Sequence, residues 1–160
     1  VPMGKPRLTV AFESGSVGDW VKSEKFDMSI VPFHTEIFKR PLTQALRNNN
    51  YTLKISSPEQ AFLECLLLVP DYYNYMDLYY IMEQLTSLNP ENVQIALEGT
   101  SSQRVKRMFL YMAEKAGHYW FDMLDVDKFG LTSSKMKLVD NGVYISKYRI
   151  TVPKELNDYE

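Results

Sequence analysis

Cysteine is nearly absent from this 160-residue chain: Cys65 stands alone, inside the apolar run from Ala61 to Val69. A single thiol cannot close an internal disulfide, so the reading expects a cytoplasmic setting rather than a stapled secreted scaffold. Histidine is as scarce, with His34 and His118 far apart, which leaves no ligand cluster of zinc type. There is no glycine-rich phosphate loop. Nor does any apolar run reach the roughly 18 to 20 residues that span a bilayer, so no membrane is expected, and no signal peptide opens the chain. The chain starts at Val1 rather than at an initiator Met, and an upstream segment is expected to have been removed.

Charge of one sign is missing over a long stretch. From Ile55 to Gln103 there is no Lys or Arg, against seven acids, Glu59, Glu64, Asp71, Asp77, Glu83, Glu91 and Glu98. From Arg104 to Lys154 the balance reverses, with ten basic residues and five acids. The formal net charge of −2 therefore conceals an acidic block followed by a basic one. Such a surface can be two-faced, its basic side attracting anions, or simply solvated.

What is plentiful is aromatic: eleven Tyr, eight Phe and two Trp, enough to fill a core at this length. The patterning predicts strands at Arg7 to Phe12, Phe26 to Phe33 and Tyr51 to Ile55, with a short helix or turn from Gly18 to Lys25. Leu42, Ala45 and Leu46 suit a helical turn that Asn48-Asn49-Asn50 breaks. Ser57-Pro58-Glu59-Gln60 opens a helix. Serine caps it, proline loses no needed N–H at the first position, and Gln60 can complete a capping box. Further helices are expected over Tyr75 to Leu85 and from Asn89-Pro90 to Gly99. A hairpin is expected over Lys135 to Ile145, turning at Asn141-Gly142, before a last strand at Tyr148 to Val152. The fold class expected is α+β. One mixed sheet of N- and C-terminal strands is covered by a central block of about four helices, in a single domain of residues 1–160.

The fourth of those helices organises the rest. In Ser101 to Trp120, SSQRVKRMFLYMAEKAGHYW, Val105, Met108, Phe109, Met112, Ala113 and Ala116 recur at i, i+3, i+4, i+7, i+8 and i+11. That spacing puts all six on one stripe. Ser101 or Ser102 can cap the start, and Gly117 suits the stop. Arg104, Arg107, Tyr111 and Lys115 fall on another stripe, with Lys106 on the opposite shoulder. Arg104, Lys106, Arg107 and Lys115 are the candidate nucleic-acid-binding residues, as an exposed face gripping phosphates. The competing reading pairs them with acids of the preceding helices. The tyrosines from Tyr72 to Tyr80 offer either a recognition surface or a roof over the core.

Catalytic patterns are thin. Asp27 with Glu36-Ile-Phe-Lys39 invites comparison with metal-dependent nucleases, but the acid-x-Lys spacing is off by one and Pro32 interrupts the strand. His118 follows the helix-ending Gly117 without a nucleophile at motif spacing, and reads as a cap on the last carbonyls of its own helix. Cys65 reads as buried and inert. These patterns favour a binding domain, needing no cofactor and no metal, with a divalent-metal nuclease as the alternative.

Four segments in order then point to a family: Ile55-Ser-Ser-Pro-Glu-Gln-Ala61, Arg104-Val-Lys-Arg-Met-Phe-Leu110, Gly117-His-Tyr-Trp120 and Lys147-Tyr-Arg-Ile-Thr-Val-Pro153. Together they resemble the C-terminal domain of AbiEi antitoxins, from type IV toxin–antitoxin systems of abortive infection in bacteria. Gln60 stands where that family commonly has arginine. The resemblance implies a non-enzymatic antitoxin and transcriptional regulator that counters a nucleotidyltransferase-like toxin, directly or indirectly. It also implies promoter DNA as partner, bound with the help of a winged-helix domain that precedes this region and is absent from this chain.

Overall fold

The computed structural model describes residues 7–12, 29–39 and 41–160. Two compact units are distinguished, Val1–Phe38 and Lys39–Glu160. In the first, β1 (Arg7–Phe12) pairs in parallel with β2 (Ser29–His34), in a register running from Arg7 opposite Ser29 to Phe12 opposite His34. The expected helix from Gly18 to Lys25 and the start of the expected second strand, Phe26 to Met28, lie outside the described residues.

The second unit opens with a ribbon. β3 (Thr43–Asn48) and β4 (Tyr51–Ser56) are antiparallel, with Asn48 opposite Tyr51 across Asn49-Asn50. The helical turn expected around Leu42 to Leu46 is therefore a strand. Its i, i+3, i+4 spacing of apolar residues fits either structure over so short a window, and cross-strand pairing decided it.

Helices follow: α1 (Pro58–Leu67), α2 (Tyr75–Gln84), α3 (Pro90–Glu98) and α4 (Gln103–Ala116). Each starts at a side-chain cap: Ser57, Asn74, Asn89 and Ser102 accept from first-turn N–H groups. At α1 the capping box is half made. Ser57 Oγ accepts from Gln60 N, but the Gln60 amide donates to Glu64 instead of reaching back. The Ser57 N–H that it would have served is already bonded to the Leu42 carbonyl. α4 ends at Gly117 in the left-handed conformation, φ 72°, which a residue without Cβ adopts cheaply.

α4 packs against both α1 and α2, and α1 against α3. Val105, Met108, Phe109 and Met112 are buried, as the stripe predicted. Phe109 meets Phe62 of α1 edge-to-face, 5.7 Å between centroids, and lies 5.9 Å from Trp120. Two 3-10 helices, Tyr119–Met123 and Val126–Phe129, then pack on α3.

The C-terminal strands form a three-stranded sheet in which β7 (Ile150–Val152) lies between β5 (Met136–Lys137), parallel to it, and β6 (Val143–Ile145), antiparallel. The expected hairpin is thus opened by an inserted strand. Asn141 alone takes a positive φ at the turn. Gly142 is needed for another reason: a Cβ there would sit 2.2 Å from the Val152 carbonyl oxygen. A short helix that the sequence did not announce, α5 (Lys154–Asp158), packs on α2. The class is α+β, with strands before and after a helical block. The described strands, however, form three small sheets rather than one mixed sheet. The C-terminal strands are only two or three residues long.

Candidate functional site

The four cations of α4 were expected on an exposed face, and the structure corrects this. Lys106 and Arg107 are buried, Arg107 completely, and Arg104 and Lys115 are half-buried. Nor do they pair with Glu59, Glu83 or Glu98. Their partners are mostly main-chain carbonyls.

Arg104 spreads over the end of α1. Its Nη1 donates to the Leu66 carbonyl at 2.9 Å and also reaches the Val69 carbonyl and the Tyr75 hydroxyl, while Nη2 donates to Leu67 at 3.0 Å. Lys106 Nζ donates to the Phe129 carbonyl at 2.6 Å, at the last residue of the second 3-10 helix. Lys115 Nζ donates to the carbonyls of Asn157 at 3.4 Å and Tyr159 at 2.5 Å, where α5 ends, and lies over the Tyr79 ring. Three cations therefore stop three different helix ends. The reason is physical: the last turn of a helix leaves carbonyls without partners, and those carbonyls carry partial negative charge.

Arg107 does the same for an irregular segment. Its Nη1 donates to Ser134 O at 2.6 Å, and its Nη2 to Thr132 O at 2.8 Å and Thr132 Oγ1 at 2.6 Å. Gln103, one turn earlier, accepts from the same guanidinium at 3.1 Å and receives the Thr132 N–H at 3.0 Å. Burial, then the nearby Arg149 charge, holds the Arg107 guanidinium below its ordinary range, and burial with Lys39 nearby does so for Lys106.

His118 caps a helix other than the expected one. Its Nε2 donates to Met82 O at 2.6 Å and Trp120 Nε1 donates to Leu85 O at 2.9 Å, so the end of α2, not of α4, is closed. The ring also stacks on Trp120 at 5.2 Å. The tyrosine group divides between both of its readings. Tyr75 and Tyr79 are core, whereas Tyr72 and Tyr80 are exposed. Burial raises the Cys65 thiol, with Glu64 adding to the effect and a Tyr73 hydrogen bond opposing it.

Sequence reasoning missed two polar knots. Glu59 is buried and binds the Asn89 N–H through Oε1 at 3.1 Å, tying the starts of α1 and α3 together, while its Oε2 has no hydrogen-bond partner among the described residues. Glu114 accepts from Lys147 Nζ at 2.6 Å and from the Tyr148 hydroxyl, joining α4 to the turn before β7. Burial raises the Glu114 carboxyl, but those two bonds outweigh it and leave it below the usual range. The Tyr148 hydroxyl is pushed far up by burial and by the same carboxylate. Only the two-turn spacing of α4, seven residues, hinted that Glu114 shares a surface with Arg107.

Glu36 is exposed, and Asp27 lies outside the described residues. Among the described residues no three of His, Cys, Asp and Glu converge on a point. No helix there is long and apolar enough to cross a membrane.

The exposed cations lie elsewhere. Between Leu131 and Lys154 the chain carries Lys135, Lys137, Lys147, Arg149 and Lys154 against one acid, Asp140, and all five cations are exposed. Lys135 stands over the exposed Tyr144 ring, 5.4 Å from its centroid.

An α+β fold thus emerges, with a helical block locked by internal cations and exposed cations on and around its C-terminal sheet. The family model for the AbiEi antitoxin, a transcriptional regulator of type IV toxin–antitoxin systems, matches residues 8–153, and the chain belongs to that family. No curated protein and no solved structure matches the chain.

Proposed function

We propose that the chain is a non-enzymatic antitoxin and regulator module, countering a nucleotidyltransferase-like toxin and strengthening promoter binding through sequence-independent phosphate contacts. The observation that carries the DNA part is the run of five exposed cations on and around the C-terminal sheet, of which Lys137 bridges Asp140, Lys147 bridges Glu114 and Arg149 reaches the Ser133 carbonyl with one guanidinium nitrogen. The α4 cations, committed to carbonyls, are poor phosphate ligands by comparison. Binding an anion would draw them away from the helix-end carbonyls they now serve.

Phosphate contacts position a protein without reading bases, and each releases counterions. Replacing Lys135, Arg149 and Lys154 together by alanine should flatten the dependence of log K on log salt by about 0.9 per lost contact, equally on operator and unrelated duplexes. The measurement is a salt series of duplex titrations with the intact regulator. A slope equal to that of the unsubstituted protein would remove DNA from this surface.

Absence of catalysis is the other half of the proposal, supported by the scatter of acids among the described residues and by the engagement of His118 with the end of α2. Incubation with DNA, RNA or nucleotides and Mg²⁺ or Mn²⁺ should yield no product. Turnover that disappears in Glu36→Gln would establish the nuclease alternative instead.

A further inference from the structure

Three of the largest exposed apolar side chains lie on elements that pack together. Ile95 of α3 is 48 % exposed, and Tyr119 and Met123 of the first 3-10 helix are 62 % and 65 % exposed. Trp120, between the last two, points the other way and is wholly buried, so the five-residue turn presents its outer side deliberately to solvent. On α3 the outward stripe is Glu91, Ile95 and Glu98, at the one-turn and two-turn spacing that gathers them.

The loop between the 3-10 helices is pinned to α3. Gln94 donates to Asp125 O at 3.2 Å and accepts from Asp125 N at 2.9 Å, one residue from Ile95. The rim is acidic. Asp122, Asp125 and Asp127 are exposed beside the two α3 glutamates, and the cations at the margin are Lys128, bridged to Asp125 at 3.5 Å, and Lys147, 5.9 Å from the Phe121 ring centroid. Apolar anchors within a ring of like charge are the anatomy of a recognition surface, with methionine and tyrosine among the side chains enriched in such contacts.

We propose that this outer face of α3 and the two 3-10 helices docks a basic protein, one that offers an apolar ridge flanked by Lys or Arg. The five acids choose the sign of the partner. They repel nucleic-acid phosphates and anionic lipid alike, and they steer a cationic protein toward the apolar centre. The surface is opposite in charge to the basic sheet proposed for DNA, and it stands whether or not that reading holds.

The probe is a synthetic amphipathic helix of leucine and lysine, with a leucine and glutamate helix of the same pattern as its opposite. Fluorescence anisotropy at physiological salt should show binding of the lysine helix and none of the glutamate helix. The double substitution Ile95→Ser, Met123→Ser should weaken the lysine helix at least about tenfold, since two central anchors are lost. Leu53→Ser, equally exposed but on the β3–β4 ribbon, should leave the affinity within about twofold. The proposal falls if the lysine helix does not bind, if the double variant binds like the unsubstituted protein, or if Leu53→Ser weakens binding as much.

Discussion

Arg107→Met is expected to lower the free energy of unfolding by about 3 kcal/mol, a large share of the roughly 5 to 15 kcal/mol that a domain possesses. Methionine fills much of the same space, so the loss measures hydrogen bonding more than cavity formation. Replacing a buried ion pair by apolar groups is often harmless, because both partners leave together. Here the partners are the main-chain carbonyls of Thr132 and Ser134, which no substitution removes. The Gln103 amide oxygen also loses its guanidinium. Arg107→Lys should recover only part of the stability, since an ammonium cannot fork to two carbonyls and a hydroxyl in one plane. Urea unfolding monitored by tryptophan fluorescence reads both variants. A loss below about 1 kcal/mol for Arg107→Met would return this residue to the pool of candidate phosphate ligands.

Phe109→Ala should cost more, about 3 to 5 kcal/mol. The ring is buried against Phe62 on one side and Trp120 on the other, so it joins α4 to α1 and to the first 3-10 helix at once. Neither neighbour can collapse into the space without abandoning its own contacts: the Trp120 indole is held by the Leu85 carbonyl. Edge-to-face geometry adds a further part, lost with the ring. The same urea titration decides the matter. A midpoint close to that of the unsubstituted protein would show that α4 does not carry the junction of the helical block.

The two variants separate the roles of one helix. Phe109 tests the apolar stripe, and Arg107 tests whether the polar stripe is part of the interior. If both destabilise while neither changes the salt slope of DNA binding beyond what partial unfolding explains, α4 belongs wholly to the scaffold. The Lys135, Arg149 and Lys154 variant should show the converse, with slope lost and stability kept.

Much of this was legible in the sequence because it is local. Four helix starts are written in a short polar side chain ahead of the first turn, and two of them carry proline at the next position. The stop at Gly117 depends on one residue lacking a Cβ. The buried stripe of α4 follows from a period of 3.6, and the α+β class from strands flanking a helical middle. The order of four short segments was enough to indicate the AbiEi antitoxin family.

What only the tertiary structure decided is where each polar stripe points and what it meets. Arg104, Lys106, Arg107 and Lys115 have the same spacing whether they face water or the carbonyls of α1, a 3-10 helix, a loop and α5. Helical periodicity assigns a side chain to a face but does not reveal which chain segment covers that face. The same limit applies to Leu42 to Leu46, where five residues of apolar spacing fit a helix or a strand until β4 pairs with them. It applies again to Asn141-Gly142, where a turn signal could not disclose that β7 would enter between the strands it joins. Local chemistry chose the elements, and contacts distant in sequence, through hydrogen bonds to carbonyls that every residue carries, chose their partners.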